Sequence, residues 1–169
     1  AGAPVDTEFV VNTYILGNQN APVLTIFDDG RQVVLWGSFQ QDGNDWGVFA
    51  QRFEALGVKS GFEFQVNTYT SKHQYWPAGA VQNASDFVAV WQSFGQDGDE
   101  YGIYGQRFGA NNKSGEEFQV SSAGPGTQEY PVVAATAGGA FGAAWQSCPS
   151  ISSGAPGQDG DDCGVYVRI

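Results

Sequence analysis

FVAVWQSFGQDGDEYGIYGQRF, residues 87–108, sets two apolar runs, 87–91 and 102–108, on either side of Gln96-Asp97-Gly98-Asp99-Glu100. Strand-forming residues flanking an Asp-Gly pair read as a hairpin. The same phrase stands upstream as VVLWGSFQQDGNDWGVFAQRF, residues 33–53, and returns downstream, stretched, as FGAAWQSC…GQDGDDCGVYVRI, residues 141–169. A second phrase keeps step with it: EFVVNTY from Glu8, EFQVNTY from Glu63 and EFQVSSA from Glu117. Trp36, Trp91 and Trp145 recur at spacings of 55 and 54 residues. The chain therefore reads as three copies of one unit, about 8–61, 62–115 and 116–169, in a single all-β repeat domain.

Each unit reads as four antiparallel strands. In the middle copy, residues 63–67 alternate Phe64 and Val66 with polar neighbours, the pattern of a half-exposed strand. Residues 75–81, YWPAGAV, are small, which places that strand where other backbones crowd in. Pro22, Pro77 and Pro131 stand at its start, where a missing ladder donor is tolerated. Residues 87–91 are continuously apolar and so buried on both faces. Residues 102–108 are aromatic and end in Gln106-Arg107, which repeats as Gln51-Arg52, with Arg168 near the matching place. Pairing with a carboxylate across a seam between units is the expected use of these arginines. Gly/Asn/Lys/Ser-rich linkers, 55–61 and 110–115, lead into the next unit.

This order predicts propeller-like blades, the small-residue strand nearest the axis and the polar strand outermost. Residues 8–12 read as an outer strand that can complete the last blade. Propellers have roughly four to eight blades, so two chains closing a six-bladed ring is one solution. A closed β-trefoil is the alternative. The phrase FVAVWQSFGQDGDEYGIYGQRF…GEEFQVSS resembles repeats found in large secreted, cell-surface bacterial proteins and adhesins. The resemblance covers all three copies and implies an extracellular repeat module, with no established catalytic residues to carry over. The third copy departs from it through an insertion, about 149–157, and the short ending GVYVRI.

Composition narrows the function classes. The net charge of −11, with seven Lys plus Arg, argues against nucleic-acid binding and against anionic membranes. No apolar run approaches the ~18 residues of a membrane span. The first residue is Ala1, which is expected where a leader has been removed. Cys148 and Cys163 flank the Pro/Ser/Gly-rich insertion, and a disulfide between them is expected in an oxidising compartment. Asn83-Ala84-Ser85 and Asn112-Lys113-Ser114 match the glycosylation sequon.

The acidic turns supply candidate calcium ligands in Asp42, Asn44, Asp97, Asp99, Asp159 and Asp161, since calcium takes several oxygen donors. The competing reading is a hairpin turn with Asp-Gly at positive φ. Trp46 and Tyr101 follow the acidic turns, and Trp76 and Tyr130 lie at strand edges, so these four aromatics beside carboxylates are candidate sugar-binding residues. Trp36, Trp91 and Trp145 are assigned to packing. His73 is the single histidine, which disfavours a Ser-His-Asp site, and no catalytic residues are assigned. Arg31, Lys72, His73 and Glu129 lie off the repeat pattern. The expectation is a secreted, non-enzymatic, lectin-like or adhesive module binding glycans or cell-surface polysaccharide, with self-association. A self-assembling structural protein is the alternative, and a carbohydrate-active hydrolase stands third.

Overall fold

Eleven strands form wherever β-branched and aromatic residues run between Gly, Asp or Asn turns. The computed structural model describes residues 7–124, 126–150, 152–158 and 160–169, and among them there is no helix. The first sheet holds β1 (Gln19–Ile26), β2 (Gln32–Phe39), β3 (Trp46–Phe53) and β4 (Lys59–Gln65) in chain order. The second holds β5 (Gln74–Val81), β6 (Phe87–Phe94), β7 (Tyr101–Phe108) and β8 (Lys113–Gln119). The third holds β9 (Thr127–Ala135), β10 (Phe141–Cys148) and β11 (Gly164–Arg168). All neighbours pair antiparallel. Three separate meanders stacked face to face are blades, and the trefoil alternative does not describe them.

Several boundaries differ from expectation. The outer strands begin in the stretches read as linkers, at Lys59 and Lys113, because Gln51 and Gln106 there bridge a bulge. Each of these fully buried carboxamides donates to three carbonyls around the bulge: Arg52, Ser60 and Gly61 for Gln51, and Arg107, Ser114 and Gly115 for Gln106. Residues 8–12 do not form a strand, and the third sheet has three strands among the described residues.

Burial alternates by blade face. Phe87, Ala89 and Trp91 of β6 pack with Val33, Leu35, Val48 and Ala50 of the first blade, and Val66 inserts between the two. Val88, Val90 and Ile103 face the third blade and meet Ala143 and Trp145, with Val120 inserted in the same way. β6 is thus buried on both faces, as its continuous apolar run requires. Crowding at the axis fixes Gly79, where an added Cβ would stand 2.7 Å from the Thr25 hydroxyl and 2.8 Å from Leu35. Arg52 and Arg107 cross the two joints, but not to carboxylates. Arg52 donates to the Gly109 carbonyl at 2.7 Å and lies over the Phe64 and Phe87 rings, while Arg107 donates to the Gly139 carbonyl and covers Phe141. Register places Arg168 opposite Ala143, the place Gln51 and Gln106 hold opposite Val34 and Ala89, so it is not the third member of the arginine series.

Phe87 and Phe108 stack at 4.7 Å in the first joint, and both are buried. Phe108→Ala is expected to destabilise the chain by about 3–5 kcal/mol. Leu56→Ala, at a residue 92% exposed, should change stability by less than about 0.5 kcal/mol. Denaturant melts of the two variants read the difference.

Candidate functional site

The inner strands β1, β5 and β9 lie against one another and line the axis. Near its start each carries the same irregularity: a residue at positive φ (Ala21 at 51°, Trp76 at 51°, Tyr130 at 54°) followed by Pro22, Pro77 or Pro131. The ladder shifts register at each of these points, which marks a bulge. A bulge re-aims side chains, and a residue forced to positive φ is strained where it is not glycine. The residues just before the strained ones are Asn20, Tyr75 and Glu129. The architecture repeats there while the side chains do not.

Those bulges gather aromatics at one end of the axis. Trp46 meets Tyr75 at 4.7 Å between ring centres, Tyr75 meets Trp76 at 5.2 Å, and Trp76 meets Tyr130 at 5.5 Å. Trp76 and Tyr130 stay open to solvent. The Tyr75 hydroxyl donates to the Asn20 side-chain carbonyl, and its ring occupies the space that a Cβ on Gly37 would need. The Tyr130 amide donates to the buried Gln92 side chain at 3.0 Å, which ties the third bulge to the second blade. Of the four aromatics singled out in the sequence, Trp46, Trp76 and Tyr130 are joined in one cluster through Tyr75, while the Tyr101 ring packs on Phe94.

Three carboxylates share this end. Asp45 and Glu100 immediately precede β3 and β7, and Asp45 lies 3.6 Å from His73. Buried Glu100 accepts the Ser150 hydroxyl at 3.0 Å and the Ser152 amide at 2.7 Å, so it anchors the insertion of the third repeat. Burial, and then the charge of Glu100, push the Glu129 carboxyl above the usual glutamate range. Burial also raises the Tyr101 phenol, with smaller contributions from Glu129, Asp45 and Tyr130, which places Tyr101 among these charged groups. Glu129 departs from the repeat at a position held elsewhere by Asn20 and Tyr75, and that departure is the sequence signal that identifies it.

The other candidates have turn roles. Asp42 accepts the Asn44 amide and the Gln65 side chain, and Asp97 accepts the Asp99 amide and the Gln119 side chain, so each closes its hairpin onto an outer strand. Asn44 accepts the Asp45 amide, while Asp99 and Asp161 are exposed. Asp159 lies outside the described residues. Among the described residues no three of His, Cys, Asp and Glu group as metal ligands do. Cys148 and Cys163 form the expected disulfide, closing the insertion that Glu100 holds. A disulfide fits an oxidising, extracellular setting. No helix among the described residues is long and apolar enough to cross a membrane.

No family model and no curated protein matches the chain. Solved structures do. A thermostable family-43 glycoside hydrolase is similar at 10% identity and TM-score 0.54, over 88% of this chain and 53% of that one. The α-L-arabinofuranosidase from Lactobacillus brevis is 7% identical with TM-score 0.58, over 93% and 54%. The endo-arabinase from Bacteroides thetaiotaomicron VPI-5482 is 15% identical with TM-score 0.51, over 95% and 60%. The chain spans a little over half the length of these proteins. At such identities the likeness shows the fold alone, propeller-like blades of the kind these glycoside hydrolases are built from. That finding overturns the non-enzymatic lectin-like or adhesive reading and its self-assembling structural alternative.

The raised Glu129 carboxyl has a consequence for stability. Below the ordinary glutamate range it is protonated both folded and unfolded, and contributes no pH dependence. As pH rises through the ordinary range and then through its raised folded value, the unfolded chain ionises first and stability falls. Glu129→Gln is therefore expected to melt above the wild type at pH 7, with the gap closing near about pH 3. Calorimetry across this range checks both the sign and the convergence.

Proposed function

We propose that the chain contributes three blades of a β-propeller that hydrolyses glycosidic bonds, with the axial cluster as its cleft. The observation that carries this reading is Glu129: a half-buried carboxyl held above its usual range by burial and the charge of a second carboxylate, at a strained bulge next to exposed Tyr130. Glycoside hydrolysis requires a carboxylic acid still protonated near neutrality and a second, ionised carboxylate. Glu129 is the acid that protonates the departing glycosidic oxygen as its bond to the anomeric carbon breaks. Asp45 is the base that takes a proton from the attacking water. Glu100, held by Ser150 and Ser152, adds its charge to the burial that raises Glu129.

Trp76 and Tyr130 offer flat faces for sugar rings. The charge of −11 favours neutral polysaccharides over polyuronates, which an acidic surface repels. The neighbours include proteins titled arabinase, arabinofuranosidase and xylanase, so arabinan and xylan are the first substrates to offer. The disulfide supports a secreted setting, where such polymers are met.

Reducing-end release from arabinan and xylan is the test. Glu129→Gln should lower kcat by about 10²–10⁴-fold with KM little changed. Glu100→Gln should move the alkaline limb of the pH profile to lower pH, because it removes a charge that raises the acid. Wild-type protein that releases no reducing ends from these polymers, or a fully active Glu129→Gln variant, overturns the reading.

A further inference from the structure

The two joints inside the chain show what a blade needs on each side, and the outermost blades carry unmatched halves of the same joint. In the first blade Thr13, which precedes β1, donates its amide to Glu63 of β4 at 2.6 Å. In the second, Thr68, which follows β4, donates to Glu117 of β8 at 2.5 Å. The third member of the donor series is Ser122, which follows Ser121 as Thr68 follows Asn67. The third member of the acceptor series is Glu8, the glutamate of EFVVN. Gln41 and Gln96 donate to the same two glutamates, Gln96 at 2.5 Å, whereas their counterpart Gln158 turns to the Ser122 carbonyl.

Asn12 and Asn67 extend the correspondence. Asn67 donates to the Tyr69 carbonyl at 2.7 Å and to Gln74 at 3.4 Å, and Asn12 donates to Tyr14 at 2.8 Å and Gln19 at 3.4 Å. Asn67 also accepts the amide of Val48 at 2.8 Å from the preceding blade. Val165 stands where Val48 and Ile103 stand, since it pairs with Gln146 as Val48 pairs with Gly37 and Ile103 with Gln92. Residues 8–12 are thus held at their C-terminal end as an outer strand is held, but form no strand within the chain.

The faces match as well. β11 turns Val165 and Val167 outward, 86% and 66% exposed, and Val132 of β9 lies on the same open face. In the second blade Ile103 and Ala78, the counterparts of Val165 and Val132, are packed into the next joint, and Val167 stands where Gly105 does. On the other end of the chain Leu24 and Ile26 are exposed beside Val34. Their counterparts in β5 and β6, Val81 and Ala89, are packed against the preceding blade.

We propose that two copies of this chain close into one six-bladed ring, in which residues 8–12 of each copy add the fourth strand to the third blade of the other along β11. Glu8 then accepts the Ser122 amide, Val11 enters the joint as Val66 and Val120 do, and Asn12 accepts the Val165 amide. A two-fold pair of such chains supplies six blades, within the roughly four to eight that close a ring. Strand addition at an exposed edge is the interaction involved.

Light scattering at tens of micromolar is expected to give twice the 18.0 kDa chain mass. Val165→Asp with Val167→Asp, both exposed in one chain, should give a folded monomer by circular dichroism. Hydrogen exchange of wild-type protein provides the second measurement, with the β11 amides protected in the pair. A wild-type monomer, a larger polymer, a pair unaffected by the aspartates, or unprotected β11 amides overturns the proposal. Both measurements are made without substrate, so they stand or fall separately from the hydrolytic reading.

Discussion

Burial of apolar sheet faces at the two joints between blades is the constraint on which this structure depends. A four-stranded meander with an apolar face on each side is not stable alone in water, and the two internal joints supply the cover. The joints then dictate the rest: small residues where inner strands meet, an inserted valine from the chain crossing between blades, and arginines that cap aromatic rings while donating to carbonyls. Conserving this pattern through three copies leaves few positions free to vary. The axial ends of the inner strands are among them.

The bulges at Ala21, Trp76 and Tyr130 explain why variation is concentrated there. The extra residue and the following proline disengage the strand from its ladder for one step. Side chains at that step are released from the alternation that governs the remainder of the sheet. Asn20, Tyr75 and Glu129 occupy equivalent backbone positions with different chemistry, a polar amide, a ring and an acid. Tyr75 fills the space above Gly37 and locks the first two blades together, whereas burial and the charge of Glu100 raise the Glu129 carboxyl.

Repetition made the blades legible in the sequence. The Trp36, Trp91, Trp145 series and the continuous apolar run of residues 87–91 fix strand order and burial with no reference to coordinates. The disulfide was legible because an insertion lies between its two cysteines. Outer-strand boundaries were not, since Lys59 and Lys113 lie in polar stretches and pair only because buried glutamines bridge the adjacent bulge. Nor was the register of Arg168, which a one-residue shortening of β11 moves to the opposite face. The aromatics of the cluster could be picked out singly, but their assembly depends on positive φ at Trp76 and Tyr130, which no propensity favours. Glu129 was visible only as a break in the pattern.

The third repeat shows how such a scaffold acquires a specialised end. Its insertion departs from the compact hairpin of the other two copies, is closed by Cys148 and Cys163, and reaches the second blade through Ser150 and Ser152. The residue it grips is Glu100, whose negative charge also acts on Glu129. One carboxylate therefore docks the loop and adds its charge to the burial that raises its neighbour. An ionised Glu100 is stabilised by the two donors it receives, and a stabilised charge there makes a second charge at Glu129 more costly. The loop, which the disulfide closes, and the axial acid thus share one charged neighbour, Glu100.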